Sequence, residues 1–343
     1  MPSFKILSSL CLGFALTIAG FQDGEKTGKR AADIPMIRAQ VNMVSLPVVV
    51  TDREGRRITN LEKDDFHVFE DGVPQEIAGF AATDEPVNVA LLLDTSGSTE
   101  RELARIQNAA IDFVHQLHPD DEVAVLSFAD DVRLQYDFTI DRDKNEYGIK
   151  KTRPGGCTAE YEAVWLALEE VLRPIKERKA LVLFTDGVDT CSRKANRKET
   201  IALAEETRAT IYCVYYDTEE DLFRSRRRSA SQFPPVIIDP FPPIGTPPMT
   251  GGTGSSQLEY AQGRDYLDKL SEYSGGLVFD GRENLKATFA QVAKELASQY
   301  SIGYYSSNTK RDGKFRKVTV KVDRAGLIAR TKKGYYPAKD RRR

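Results

Sequence analysis

Val89-Ala90-Leu91-Leu92-Leu93-Asp94-Thr95-Ser96-Gly97-Ser98 decides the fold. Five apolar residues in a row end in an acid, two hydroxyl residues follow at alternate positions around a glycine, and a helix-like pattern then begins. An unbroken apolar run bounded by turn residues suits a strand buried on both faces, as in a parallel sheet. Such a strand delivers a small, oxygen-rich loop. A hard divalent cation such as Mg²⁺ takes compact oxygen donors and keeps several waters, so Asp94, Ser96 and Ser98 make a donor set from one turn. Gly97 between them lets the backbone fold tightly. The same residues also suit a purely local role, with Ser98 or Thr99 capping the following helix and Asp94 forming a turn at a strand end. Taken alone, the turn leaves both roles open.

Two later segments bear on that choice. Gly155-Gly156-Cys157-Thr158-Ala159 stands directly before a helical run, and Leu181-Val182-Leu183-Phe184-Thr185-Asp186-Gly187 is a second apolar strand ending in an acid and a glycine. Three junctions then offer oxygens from Asp94, from Ser96, Ser98 and Thr158, and from Asp186. In an open α/β sheet such junctions gather outside the carboxyl ends of the strands, where ligands bind. Both acids are expected to face the loops rather than the core.

Around these junctions, strands and helices alternate. Strands are expected at 87–94, 122–128, 133–138, 180–185, 210–216 and 276–279, and helices at 103–117, 161–175, 200–207, 266–273 and 285–299. Residues 103–117 show the helical stripe clearly, with Leu103, Ile106, Ala110, Phe113, Val114 and Leu117 on one side. The alternation predicts an α/β fold, a doubly wound, mostly parallel sheet over residues 86–299. It is interrupted at 222–257, where Pro234-Pro235, Pro242-Pro243, Pro247-Pro248 and a Gly/Ser/Thr-rich run predict a flexible surface insertion.

The flanks read differently. Residues 37–84 carry short alternating runs at 41–50, 65–69 and 75–80 separated by Asp and Gly turns, and residues 300–338 repeat the pattern at 300–306, 315–322 and 327–331. About four strands rarely close a core alone. The two end segments are therefore expected to form one β-sandwich into which the α/β domain is inserted.

At the N-terminus, Lys5 precedes an apolar stretch from Ile6 to Phe21, with Thr17 and Ala19 as small residues at a cleavage position. This predicts a signal peptide over 1–20, followed by a polar linker over 21–36, and hence a secreted or periplasmic protein with no membrane span beyond that segment. An uncleaved anchor is the alternative. With Lys+Arg 49 against Asp+Glu 51, the chain lacks the basic excess of a nucleic-acid binder.

Cys157, Cys191 and Cys213 remain after the signal segment. Cys213 falls within an apolar strand and reads as a packing residue. Cys157 and Cys191 each adjoin a metal loop, so a disulfide between them is expected, tying the loops together.

The combination resembles the von Willebrand factor A domain family and its metal-ion-dependent adhesion site. Asp94, Ser96 and Ser98 match that family's D-x-S-x-S signature, Thr158 its distal threonine and Asp186 its T-D-G acid. The resemblance implies that Asp94 lies close to the metal, that Ser96, Ser98 and Thr158 donate hydroxyls, and that Asp186 acts through water. It also implies a vacant coordination position for a ligand carboxylate. Family members usually have the threonine directly after the glycine pair, whereas here Cys157 intervenes. The ends resemble a bacterial family related to these domains and known mainly from acidobacteria. The matching residues are Thr51-Asp52 with Gly55, Asp65-Phe66 with Glu70-Asp71-Gly72, Gly303-Tyr304-Tyr305, and Asp312-Gly313-Lys314-Phe315.

Catalytic chemistry has few candidates. The three histidines, His67, His115 and His118, are remote in sequence from the three loops, and no phosphate-binding P-loop is present. Glu160 and Asp189 flank the loops; acids there orient ligands and water, or serve as the base of a metal-dependent hydrolase. Hydroxyl-rich coordination leaves a cation electrophilic toward an incoming carboxylate without supplying a base. The expectation is thus a non-enzymatic, metal-dependent binding module that uses Mg²⁺, Mn²⁺ or Ca²⁺ to hold an Asp or Glu carboxylate of a partner protein. A hydrolase at the same site and a scaffold with a degenerate site are the alternatives.

Overall fold

The structure, a computed structural model, describes residues 43–83, 85–216 and 257–337. The expected signal segment 1–20, the linker 21–36 and all but the last residue of the insertion 222–257 lie outside the described residues.

Strands β1 (Met43–Thr51), β2 (Phe66–Glu70), β3 (Val73–Gln75) and β4 (Ile77–Ala81) come first. The α/β region follows: β5 (Asn88–Asp94), α1 (Leu103–Gln116), β6 (Glu122–Phe128), β7 (Val132–Thr139), α2 (Arg142–Lys151), α3 (Glu160–Leu166) and β8 (Lys179–Thr185). It continues with α4 (Arg197–Glu206), β9 (Thr210–Tyr215), α5 (Gln257–Ser274), β10 (Val278–Asp280) and α6 (Leu285–Leu296). Strands β11 (Gln299–Tyr305), β12 (Arg316–Val322), β13 (Ile328–Arg330) and β14 (Gly334–Tyr335) close the described chain.

The central sheet runs β10-β9-β8-β5-β6-β7, and only the β6–β7 pairing is antiparallel. Side-chain alternation along its strands explains why they are apolar throughout. Val89, Leu91 and Leu93 of β5 face one cluster with α1 and α6, whereas Ala90 and Leu92 face the opposite cluster with α3 and α5. Both faces are covered, so neither register position tolerates a polar residue until the strand ends at Asp94. From β5 the chain first extends the sheet through β6 and β7, then returns to the other side of β5 with β8. The point between β5 and β8 is therefore the topological switch, where the connections leaving the two strands diverge.

The ends make two further sheets, ordered β13-β1-β11-β4 and β14-β12-β2-β3. Each interleaves N-terminal and C-terminal strands. Val48 of β1 opposes Tyr300 of β11, and Val68 of β2 opposes Val320 of β12. Leu46, Val48, Phe66, Val68, Tyr300, Ile302, Val318 and Val320 pack together between the sheets. The fold is thus an α/β unit joined to a sandwich built from both flanks.

Two expectations need correction. The single strand expected at 75–80 is divided at Glu76: β3 pairs with β2, while β4 pairs with β11 in the other sheet. The chain turns a sandwich corner there, as strands that switch sheets do. Helix α2 and strand β14 were not anticipated. Helix α2 is strongly polar and is started by the Asp141 carboxylate, which accepts from the Asp143 and Lys144 amides. It attaches through few residues, among them Ile149, buried with the α1 cluster, and Asn145, whose side chain donates to the Val123 carbonyl at 2.9 Å.

Candidate metal centre

Asp94 ends β5 at the switch point and is fully buried. One oxygen, Oδ1, accepts from the Ser96 amide at 2.9 Å, which folds the turn back on the strand. The other, Oδ2, accepts from the hydroxyls of Thr185 and Tyr216, each at 3.2 Å. Burial raises the Asp94 carboxyl to about 6, against the lowering effect of these hydrogen bonds.

Neither serine side chain caps a helix. Helix α1 begins after Glu102 without a side-chain cap, and Thr99 folds its hydroxyl onto the Ser96 carbonyl at 2.8 Å. The Ser96 and Ser98 hydroxyls instead lie 3.0 Å apart, side by side near the Asp94 carboxylate.

The second loop is bound to the first by its backbone. The Gly97 amide donates to the Gly156 carbonyl at 3.1 Å, and the Gly155 amide to the Thr95 carbonyl at 2.9 Å. Gly156 has φ +71°, and a Cβ there would lie 2.4 Å from Oδ1 of Asp130, an exposed acid on the loop after β6. The positive φ is what favours glycine here, since the exposed Asp130 side chain can turn aside. Thr158, fully buried, is fixed by its neighbours across to the third loop: its amide donates to Thr190 Oγ1 at 2.8 Å, and its carbonyl accepts from the Thr190 and Cys191 amides. Cys157 and Cys191 form a disulfide beside these bonds, as expected.

The third loop leaves β8. Asp186 is 1 % exposed and accepts from the Val188 amide at 3.0 Å. Gly187, at φ +81°, allows the turn, and its backbone touches α5: a Cβ on Gly187 would lie 2.7 Å from the Gly263 carbonyl carbon. The expectation that Asp94 and Asp186 face the loops rather than the core is corrected by their burial. Both carboxylates are buried at the ends of apolar strands.

Asp189 accepts from the Tyr161 amide at the start of α3, from the Ser192 amide and from the Ser192 hydroxyl. It anchors the helix to the third loop, and burial raises its pKa. Glu160, the first residue of α3, is fully buried, and neither carboxylate oxygen has a hydrogen-bond partner. Burial, then the charges of Asp186, Asp94 and Asp189, push its carboxyl well above the usual range. The nearby Thr185 hydroxyl eases that shift, but its single proton is directed to Asp94.

The structure thus gathers Asp94, Ser96, Ser98, Thr158, Glu160, Asp186 and Asp189 at one end of the sheet. Thr185 and Tyr216 were not anticipated. Thr185 was visible within the strand that ends at Asp186, whereas the Tyr216 contact depends on β9 lying beside β8. Among the described residues, no three His, Cys, Asp or Glu side chains are arranged to hold a metal, so a cation here requires the hydroxyls. The residues fit such a group in one respect: a buried, unpartnered carboxylate among other acids is costly unless it takes up a proton or a positive charge neutralises it.

Fold and site geometry together define a doubly wound α/β domain with a buried acid-and-hydroxyl cluster at its switch point. Residues 89–188 match the family model of the von Willebrand factor type A domain. No curated protein matches the chain. Among solved structures, the chain is similar to a von Willebrand factor type A protein from Catenulispora acidiphila, at 14 % identity and a TM-score of 0.46, over 80 % of this chain and 74 % of that one. The conserved hypothetical protein BatB from Bacteroides thetaiotaomicron is 19 % identical, with a TM-score of 0.43, over 62 % of this chain and 97 % of that one. Proximal thread matrix protein 1 from the mussel byssus, in a form with a zinc-occupied MIDAS motif, is 16 % identical, with a TM-score of 0.44, over 66 % of this chain and 49 % of that one. Among the described residues, no helix is long and apolar enough to cross a membrane.

Proposed function

We propose that this protein is a secreted or periplasmic binding module that captures an Asp or Glu carboxylate of a partner protein through a divalent cation, Mg²⁺, Mn²⁺ or Ca²⁺, held at the Asp94 cluster. The observation that carries this reading is the pairing of the Ser96 and Ser98 hydroxyls beside a buried Asp94, with Thr158 and Asp186 brought alongside by loops locked to one another. Asp94, Ser96, Ser98 and Thr158 would hold the ion, with Asp186 steadying its water. A bound cation supplies a Lewis-acidic point of attachment for an incoming carboxylate. The finer resemblance, to a metal-ion-dependent adhesion site and to the bacterial family seen in the flanks, belongs to the same proposal. Binding is favoured over hydrolysis because the donor set is rich in hydroxyls, which leave a cation electrophilic toward an incoming carboxylate; of the two flanking acids, Asp189 is committed to the Tyr161 amide and to Ser192.

Thermal unfolding of the mature protein in EDTA, Mg²⁺, Mn²⁺ or Ca²⁺ tests the site. A ligand that binds only the folded state raises its stability by about 2.7 kcal/mol at a hundred times its dissociation constant. The expected result is a cation-dependent rise in Tm that Asp94→Asn removes. A rise retained in full by Asp94→Asn would refute the site, and a pull-down unaffected by EDTA would refute the cation-mediated contact.

A further inference from the structure

Every other buried acid of the site has donors. Asp94 accepts from the Ser96 amide, Thr185 and Tyr216, and Asp186 from the Val188 amide. Glu160 is different. It is as fully buried as Asp94, and both of its oxygens are without a partner. The backbone holds it in place: Asp189 pins the start of α3, and Thr158, two residues earlier, is tied to Thr190 and Cys191. The charges acting on it most strongly are those of Asp186 and Asp94. A glutamate that merely filled space would carry a chain of similar shape without a charge that burial penalises. Among the described residues, the charges that act on it are acidic ones: Asp186, Asp94 and Asp189.

We infer that Glu160 supplies a third buried negative charge to the cation held at Asp94, so that the site binds its ion before any partner arrives. This inference rests on the cation site proposed above and deepens it. Without Glu160 the site would depend on a partner's carboxylate for much of its negative charge. With it, the cation resides in the free protein, and the partner adds to a loaded site. Because, among the described residues, no three acids of the cluster are arranged to cage a metal, Glu160 acts through its field and is a positioning residue rather than a member of the donor set. Shortening the side chain by one methylene moves the charge but keeps it, a smaller change to the field at the cation than removing the charge outright.

The test is isothermal titration of the mature protein with Mn²⁺ alone, with no partner present, beside Glu160→Gln, Glu160→Asp and Asp94→Asn. Thermal unfolding in EDTA verifies that each variant is folded. Glu160→Gln is expected to lose about tenfold or more in affinity, while Glu160→Asp, which keeps the charge and shortens the reach, stays within a few-fold of the parent. Asp94→Asn loses binding altogether. Parent-like binding by Glu160→Gln would overturn the inference and leave the cation site intact. An equal loss in Glu160→Asp and Glu160→Gln would overturn it as well, since charge would then not be the relevant property. Parent-like binding by Asp94→Asn would instead overturn the cation site itself, and the Glu160 inference with it.

Discussion

Asp94 carries opposite demands in one carboxyl group. Three donors prefer it ionised, yet burial lifts its pKa from 3.8 to about 6. Between those values the folded protein binds more protons at this residue than the unfolded chain does, so without a cation stability falls as pH rises through that window. At roughly 1.4 kcal/mol per pKa unit, the penalty is about 3 kcal/mol once the pH exceeds the folded value. Denaturant unfolding in EDTA at pH 5 and pH 7.5 should show a larger loss for the parent than for Asp94→Asn, and saturating Mg²⁺ should narrow the parent's difference. Equal pH dependence in parent and variant would contradict this account of Asp94. Gly263 offers a steric test at the same scale. A Cβ there would meet the Gly187 carbonyl oxygen at 2.6 Å and the Asp186 carbonyl oxygen at 3.2 Å. Gly263→Ala should therefore cost about 1–3 kcal/mol, as overpacking does, and blunt the cation-induced rise in Tm by displacing the Asp186 loop. The acid and hydroxyl residues were legible in the sequence because each ends a strand or opens a helix. Gly263 and Tyr216 were not, because what they touch is set by which element lies next to which.

At the scale of elements, the three loops behave as one piece. The disulfide joins Cys157 to Cys191 across 34 residues, next to the hydrogen bonds between Thr158 and the 190–191 backbone. Closing a loop of that length in the unfolded chain corresponds to about 4 kcal/mol in the chain-entropy account. Replacing both cysteines with serine should lower Tm and also weaken Mn²⁺ binding, because Thr158 and the residues after Asp186 lose a shared anchor. An unchanged Mn²⁺ affinity alongside a lowered Tm would confine the bridge to a role in stability. The central strands were legible from their continuous apolar runs, and α1 from its stripe. The strand expected at 75–80 misled because side-chain alternation continues through Glu76: Gln75 and Ile77 are both buried although they belong to different sheets. Helix α2 was hidden because charge dominates its surface and only a few positions meet the core.

At the scale of the whole molecule, the sandwich is fastened to the α/β unit by buried charge. Glu295 of α6, 3 % exposed in its side chain, is bound by Arg57 from the loop after β1 and by Arg330 of β13. Arg330 also donates to the Gly275 and Gly276 carbonyls at the end of α5, and Gln299 at the start of β11 donates to Thr210 Oγ1 and Tyr212 of β9. Both flanks therefore touch the strands and helices that position the cluster, although neither flank reaches it in sequence. The interleaved sheet order makes the N-terminal strands depend on the C-terminal ones: β11 lies between β1 and β4, and β12 between β2 and β14. Deleting residues 300–343 would leave β1 and β4 without the strand they share, expose Val48 and Val68, and leave Glu295 with Arg57 alone. Glu295 would then be held by one arginine where two held it, so the loss should extend into the α/β unit and lower its Tm. Limited proteolysis should cut the truncated protein within residues 43–83 under conditions in which the full chain resists. Unchanged resistance of that segment would mean that the N-terminal strands hold together without β11 and β12, contrary to the sheet order.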